Sequence, residues 1–154
     1  METQNRDQTI RKNLSNCPAG VFCYFIKLNS LWAAKCYRSS SDRDEAYERQ
    51  VNCFEHGLAP EATETFEIDV DYFDDEDDCQ VDRLWCYITE VIEPCVNMES
   101  DDFEADCDRF EADYEKECWL IQEEIKAKTG WRPNDPHGYN WGWNDGKLQL
   151  LDFI

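Results

Sequence analysis

Side chains that can bind metal ions are concentrated near the end of the sequence, on either side of a predicted turn. Asp135 is followed by His137 and Asn140, and Asp152 lies beyond an Asn144-Asp145-Gly146 turn between two short apolar stretches. This turn predicts a tight β-hairpin, which would carry Asn140 and Asp152 to neighbouring ends of two antiparallel strands. Their oxygen atoms could then bind a metal ion, with Asp135 on the preceding loop as a third carboxylate. The alternative is plain turn chemistry, because Asn and Asp are favoured in turns.

A lysine lies inside an apolar stretch, at the end of Leu31-Trp32-Ala33-Ala34-Lys35. Residues 21–28 and 31–37 are two β runs around an Asn29-Ser30 turn, which predicts a hairpin. Because burial of an unpaired ammonium is costly, we expect Lys35 to pair with a phosphate or a carboxylate. In the alternative interpretation, Lys35 points outward from an edge strand.

The next segment predicts an amphipathic helix that could supply this carboxylate. Its apolar positions have helical spacing, and the pattern stops at Gly57. Glu48, in the middle turn, is the first candidate to pair with Lys35, and Glu45, one turn earlier, is the second. The apolar positions of this helix are Tyr47, Val51 and Phe54.

Two further strands and a second helical stretch follow. Residues 64–72 alternate apolar and acidic side chains, which predicts a half-buried antiparallel strand, and residues 84–92 predict the next one. Ser100 then caps a helix whose apolar spacing continues over about six turns to Gly130. Residues 1–14 are polar and mixed in charge, and we expect them to be frayed or to form an edge element. The apolar positions of the long helix are Phe103, Cys107, Phe110, Tyr114, Cys118, Ile121 and Ile125.

The order of these features resembles the protein-kinase-like phosphotransferases. Asp135, Asn140, the hairpin and then Asp152-Phe153 are similar to the catalytic loop and metal loop of that family. His137 is similar to the variant in aminoglycoside- and choline-kinase-like members and in small bacteriophage protein kinases. The resemblance implies that Asp135 is the catalytic aspartate, which orients the acceptor hydroxyl. It also implies that Asn140 and Asp152 bind Mg²⁺.

The first half of the chain is similar to the ATP-binding part of the same family. Leu31-Trp32-Ala33-Ala34-Lys35 resembles the Val-Ala-x-Lys strand, which implies that Lys35, held by Glu48, positions the ATP phosphates. The position of the glycine-rich phosphate loop keeps one glycine, Gly20. Thr89-Glu90-Val91 resembles the gatekeeper and hinge that meet adenine. The backbone groups expected to bind adenine are those of Glu90, Val91 and Ile92.

The resemblance implies a specific α+β fold. We expect a protein-kinase-like fold, with a five-stranded antiparallel N-lobe sheet and one helix, then a minimal C-lobe of a long helix plus the catalytic-loop hairpin. It covers residues 1–154 as a single domain, with the N-lobe at 15–93 and a truncated C-lobe at 94–154. The activation loop and the substrate-binding helices of an ordinary kinase would be absent. The implied function is that of a minimal, phage-type kinase-like protein that binds Mg-ATP and could transfer phosphate to a host protein.

The charge of the chain supports a second hypothesis. The formal net charge is −20, and residues 61–124 hold 25 Asp and Glu against three basic residues, a local charge of −22. Such a surface would repel nucleic acid and attract a basic groove. The alternative function is therefore a catalytically degenerate, pseudokinase-like DNA mimic or inhibitor that binds a basic host defence or nucleic-acid-binding protein. The acidic face could also dock a basic kinase substrate, and the simplest interpretation is a solvated face that aids solubility.

Cysteine content and hydropathy bear on the compartment. Nine cysteines without C-x-x-C spacing and only two histidines argue against a zinc site. In the absence of a signal peptide, we expect reduced, buried thiols in the cytoplasm, or in the host cytoplasm if the protein is phage-encoded. No run of about 18 apolar residues occurs, so we expect no membrane span. We also expect no direct binding to nucleic acid.

Overall fold

Helices and strands alternate along the chain in an α+β structure. The computed structural model describes residues 3–14, 23–73, 79–134 and 136–154. The helices are α1 (Thr3–Leu14), α2 (Ser40–Glu55), α3 (Phe103–Asp113) and α4 (Glu115–Thr129), and Gly138–Asn140 is a 3-10 turn. The strands are β1 (Cys23–Lys27), β2 (Trp32–Tyr37), β3 (Ala62–Phe73), β4 (Cys79–Glu90), β5 (Trp141–Asn144) and β6 (Lys147–Leu150).

The chain divides into two compact units. Unit 1 comprises Met1–Asp44 and Ala62–Val91, and unit 2 comprises Glu45–Glu61 and Ile92–Ile154. One division falls inside α2 and another falls at the end of β4, close to the predicted lobe boundary at residue 93.

Unit 1 contains an antiparallel sheet with the strand order β1-β2-β4-β3. The predicted hairpin of β1 and β2 is confirmed, with Cys23 opposite Tyr37 and Lys27 opposite Ala33. The predicted α+β class is also confirmed, but the prediction of five strands is wrong, because this sheet has four strands among the described residues. Apolar side chains from one face of the sheet form the core of the unit. This core contains Ile26, Ala34, Cys36, Phe66, Ile68, Leu84, Cys86 and Ile88.

The amino-terminal segment is helical, so the prediction of a frayed or edge element is wrong. Ile10 of α1 is completely buried and belongs to the sheet core, and Leu14, one turn later, packs beside it. Arg6 lies one turn earlier on the same helix face, with its guanidinium 3.6 Å from the centre of the Phe66 ring. It also donates to Glu64 at 2.9 Å. These contacts stabilise a helix that has little apolar surface of its own.

Strand β3 confirms the predicted alternation. Phe66 and Ile68 are buried, and Glu67 and Asp69 are exposed. The strand pairs with β4 over most of its length, with an irregularity next to Glu64, which has a positive φ of 48°. One face of β3 therefore packs in the core, and the other presents carboxylates to solvent.

Helix α2 buries a different face from the predicted one. Phe54, predicted to be buried, is 41% exposed. Arg43 donates hydrogen bonds to two carbonyl oxygens of adjacent strands, each at 3.2 Å, and Gln50 donates to the Pro60 oxygen at 3.0 Å. Polar side chains can occupy the buried face because backbone acceptors satisfy them. The buried positions are Arg43, Ala46, Gln50 and Cys53.

The predicted long helix is two helices, α3 and α4. They meet at Tyr114, whose φ of −118° and ψ of 21° are not helical. A straight helix would stack Glu111 on Glu115 and Asp113 on Glu117, and like charges at this spacing are destabilising. The predicted apolar stripe nevertheless continues through the break. Its buried members are Cys107, Phe110, Cys118 and Ile125.

The prediction of buried thiols is confirmed for most of the described cysteines. Seven described cysteines are free, and five of these are buried. Burial raises the pKa of Cys53 to about 11 and that of Cys118 to about 12. These thiols are therefore protonated near neutral pH and act as small apolar groups.

Replacement of Ile10 tests the packing of α1. We expect Ile10→Ala to lower the free energy of unfolding by about 3 kcal/mol, because it removes a completely buried side chain. Urea unfolding measures this change, and Gln8→Ala, at an exposed position of the same helix, is the control. A stability within about 0.5 kcal/mol of wild type for Ile10→Ala would mean that α1 does not pack on the sheet.

Candidate functional site

The predicted hairpin near the end of the chain forms in unit 2. Strands β5 and β6 pair antiparallel, with Trp141 opposite Leu150 and Asn144 opposite Lys147. Asp145 and Gly146 connect them with φ values of 50° and 78°. Positive φ at both central residues is the geometry of a type I′ turn, whose twist matches that of the paired strands.

The open end of this hairpin brings two predicted metal ligands together. The Nδ2 atom of Asn140 lies 3.5 Å from the Oδ2 atom of Asp152. The Leu151 N–H donates to the Asn140 carbonyl oxygen at 2.7 Å, which continues the ladder by one step. Asp152 is exposed and Asn140 is half-buried. The prediction that the hairpin carries these two residues to neighbouring strand ends is confirmed.

The Asn140 side chain is already hydrogen-bonded through its oxygen atom. Its Oδ1 atom accepts a hydrogen bond from the His137 N–H at 2.8 Å, and its N–H₂ group faces Asp152. A cation held by both residues needs two oxygen atoms on one side. Rotation of the Asn140 amide about its last torsion, whose minima are broad and roughly two-fold, would provide them and would break the hydrogen bond from the His137 N–H.

The loop before Asn140 packs against α3. The Nδ1 atom of His137 lies 3.7 Å from Glu111 of that helix. A Cβ atom at Gly138 would lie 3.1 Å from the Val96 side chain and 3.3 Å from the Cys107 Cα, so this close approach depends on glycine. The helix thus supports the loop that ends at Asn140.

The segment after Asp152 is anchored in the interior of unit 2. Phe153 is completely buried, with its ring centre 6.2 Å from that of Trp131. Arg49 donates to the Phe153 carbonyl oxygen at 3.2 Å, and its guanidinium lies 4.8 Å from the centre of the Trp131 ring. Sequence reasoning missed Arg49 and Trp131. No local pattern relates Arg49 to Phe153, which is 104 residues away.

The predicted ATP-binding lysine lies in unit 1. Lys35 is on β2, between β1 and β4, and is 8% exposed. The alternative that it points outward from an edge strand is therefore wrong. Its Nζ atom lies 5.8 Å from the centre of the Tyr87 ring, on the sheet face opposite the core that contains Ala34 and Cys36.

The two carboxylates predicted to pair with Lys35 lie in unit 2. Glu48 is exposed on α2. Glu45, the second candidate, lies 3.8 Å from the Arg49 guanidinium. The Lys35–Glu48 ion pair stays a prediction.

The predicted hinge begins at Glu90, the last residue of β4. Glu90 pairs with Trp32 of β2, and the Val91 N–H donates to the Leu31 oxygen at 2.8 Å. Ile92 is half-buried and begins the second segment of unit 2. The contact of the Glu90, Val91 and Ile92 backbone groups with adenine stays a prediction.

Two predicted features lie outside the described residues. They are Gly20 of the phosphate loop and the catalytic candidate Asp135.

Within the described part of the chain, no three or more His, Cys, Asp or Glu side chains are grouped closely enough to hold a metal ion. The Asn140–Asp152 pair is not such a group, because it has two members and Asn140 offers an amide oxygen rather than a carboxylate. It is a candidate for a metal site in which water and phosphate supply the other ligands. Among the helices of the described ranges, none has both the length and the apolar character needed to cross a membrane.

Comparison of the chain with protein-family models, with curated proteins and with solved structures gives no match.

Replacement of Gly146 tests how much the turn contributes to the hairpin. A Cβ atom there would meet no atom within 4 Å, so Gly146→Ala adds only the strain of a side chain at φ 78°. We expect a loss of about 1 kcal/mol in the free energy of unfolding, measured with urea. Asp145→Gly, which relieves the same strain at the neighbouring position, should be at least as stable as wild type. Equal stability of Gly146→Ala and wild type would contradict the turn geometry.

Proposed function

We propose that the chain is a protein-kinase-like protein that binds Mg-ATP, with Asn140 and Asp152 as its metal ligands. The observation that carries this proposal is the contact of the two side chains at the open end of the β5–β6 hairpin, where the Asn140 Nδ2 atom lies 3.5 Å from the Asp152 Oδ2 atom. Two oxygen-bearing side chains on adjacent strand ends suit Mg²⁺, which takes one or two protein ligands and completes its shell with water and phosphate.

The order of elements supports the same proposal. A lysine-bearing strand (β2) is followed by α2, by two strands, by the α3–α4 stretch and by the hairpin. This is the order that the resemblance implies for a kinase-like fold.

The remaining predicted residues have defined roles in this proposal. Bound Mg²⁺ would neutralise charge on the ATP phosphates, and Asn140 and Asp152 would hold it by their oxygen atoms. Lys35 would contact the phosphates and Glu48 would pair with it, while Gly20 and the backbone of residues 90–92 would contact ATP. Asp135 would orient the acceptor hydroxyl.

Thermal unfolding with Mg²⁺ and ATP tests the proposal. ATP at 100 times its dissociation constant should stabilise the wild-type chain by about 2.7 kcal/mol. Asp152→Asn should abolish this stabilisation because it removes the charged metal ligand, and Lys35→Ala should reduce it. Asp145→Asn removes an exposed carboxylate from the tip of the same hairpin and is the matched control.

The proposal fails if Mg-ATP does not stabilise the wild-type chain, or if Asp152→Asn and Asp145→Asn respond alike. Transfer of a radiolabel from the γ-phosphate of ATP to a protein, lost in Asp135→Asn, would extend the function from binding to catalysis.

A second candidate function is the binding of a basic protein through the acidic face. The observation that favours it is the exposure of carboxylates along α3 and the first half of α4, where opposite charges are few; Lys126 and Lys128 lie in the last turn of α4. The sequence from Glu99 to Glu124 has two basic residues, Arg109 and Lys116. The exposed carboxylates on these helices include Glu104, Asp108, Asp113, Glu115 and Glu117.

Salt-dependent binding to a lysine homopolymer of about 20 residues tests this second function. We expect binding at 50 mM salt that weakens steeply by 500 mM, because exposed charges are screened over about 10 Å at 0.1 M salt. Asp108→Asn with Asp113→Asn should weaken binding about threefold, since exposed ion pairs contribute about 0.2 to 1 kcal/mol each. The control is the double variant Glu55→Gln with Asp145→Asn, which also removes two negative charges, from exposed positions outside α3 and α4. Equal weakening by both pairs would mean that no localised face exists.

A further inference from the structure

We infer that Arg49 is a positioning residue for the Asp152 carboxylate. This inference rests on the proposed function, since it assigns Arg49 the task of holding the backbone on which that metal ligand stands. Arg49 itself contacts neither the metal nor the nucleotide in this account. All the contacts that carry the inference lie within unit 2.

The backbone of Asp152 is held on both sides. On one side, the Leu151 N–H donates to the Asn140 carbonyl at 2.7 Å. On the other side, the Phe153 carbonyl accepts a hydrogen bond from Arg49 at 3.2 Å. The Asp152 side chain remains exposed between these two anchors. Its backbone is therefore fixed while its carboxylate is open to a ligand.

The Arg49 guanidinium is itself held in one orientation. Its Cζ atom lies over the Trp131 ring, 4.8 Å from the ring centre, and its Nη2 atom lies 3.8 Å from Glu45, one turn earlier on α2. Glu45 is largely exposed, so this ion pair contributes little stability by itself. The ring contact and the hydrogen bond to Phe153 are the stronger restraints.

Trp131 is placed under Arg49 by the end of α4. Gly130 closes that helix in the left-handed conformation, at φ 80°, and its N–H donates to the Lys126 oxygen. The Trp131 N–H then donates to the Thr129 hydroxyl at 3.3 Å. The Trp131 ring packs against both Arg49 and the buried Phe153 ring. Phe153, the residue after Asp152, is therefore held by contacts from two other segments. Arg49 of α2 donates to its carbonyl oxygen, and Trp131 at the end of α4 packs against its ring.

This geometry requires arginine rather than a generic cation. A planar guanidinium can stack its face on an aromatic ring and donate from its edge at the same time, which an ammonium cannot do. Arg49→Lys should keep the charge and lose part of the positioning. Arg49→Met should keep the aliphatic stem and lose the donor.

The experiment measures Mg²⁺ affinity and local backbone protection in the same variants. Calorimetry of the full chain with a non-hydrolysable ATP analogue gives the apparent dissociation constant of Mg²⁺. Hydrogen exchange without ligand reports the protection of the backbone at residues 151–153. For Arg49→Met we expect Mg²⁺ binding to be weaker by about tenfold, which is the usual effect of removing a residue that holds a metal ligand in place. We also expect faster hydrogen exchange at residues 151–153.

Three further variants make the test specific. Arg49→Lys should lie between wild type and Arg49→Met. Trp131→Leu keeps the guanidinium and removes its stacking surface, so it should weaken Mg²⁺ binding in the same direction even if Arg49→Met fails to fold. Arg109→Met removes an exposed guanidinium whose ion pair with Asp106 lies on α3, and it should change neither measurement.

The outcomes separate this inference from the proposed function. If the wild-type chain binds no Mg-nucleotide, the proposed function fails and the inference fails with it. If wild type binds and Arg49→Met binds Mg²⁺ equally well, the inference is overturned while the proposed function stands. Faster exchange throughout unit 2, rather than at residues 151–153, would mean that Arg49 only stabilises the fold, and would also overturn the inference.

Discussion

The backbone hydrogen bond between Leu151 and Asn140 is the contact on which the candidate site depends. It is 2.7 Å long and extends the β5–β6 ladder one step beyond Trp141 and Leu150. Side chains alternate between the two faces along a strand, so a slip of one residue in this ladder would change the position of Asp152 relative to Asn140. The turn at Asp145 and Gly146 prevents such a slip because its two positive φ values specify a two-residue connection. Local backbone geometry therefore brings the Asn140 and Asp152 side chains together.

Buried polar side chains are the second organising feature of the molecule. Arg6, Lys35, Arg43 and Gln50 are each less than a tenth exposed. Arg43 and Gln50 bind backbone carbonyl oxygens, and Arg6 packs on an aromatic ring. Each of these groups stabilises the fold only while its partner is present, because an unpaired buried donor costs about 1 to 3 kcal/mol.

The features that the sequence predicted correctly are those decided by neighbouring residues. The Asn-Asp-Gly turn defined the terminal hairpin, and the period of two defined β3. The features that it missed depend on partners distant in sequence. Helix α1 has one completely buried apolar residue, Ile10, and Arg6 on that helix pairs with Glu64, 58 residues away. The prediction for the buried face of α2 was wrong because it used only the spacing of apolar residues. Arg43 and Gln50 are polar, and they are buried because they donate hydrogen bonds to backbone carbonyl oxygens.

The same distinction between local and distant contacts applies to the candidate site. The proximity of Asn140 and Asp152 was predictable because one hairpin joins them, whereas the role of Arg49 was not, because three separate segments create its environment. The break at Tyr114 was missed because the apolar stripe continues in phase across it. The expectation of a fifth strand came from the resemblance and not from a β pattern in residues 1–14.

Paramagnetic broadening by Mn²⁺ tests the central claim most directly, because Mn²⁺ replaces Mg²⁺ and broadens the NMR signals of nearby groups. In the ¹⁵N-labelled chain with a non-hydrolysable ATP analogue, the account predicts the strongest broadening at the Asn140 side-chain amide and at the backbone amides of Leu151, Asp152 and Phe153. Broadening that is strongest along the carboxylates of α3 and α4, and that does not change when nucleotide is added, would contradict it.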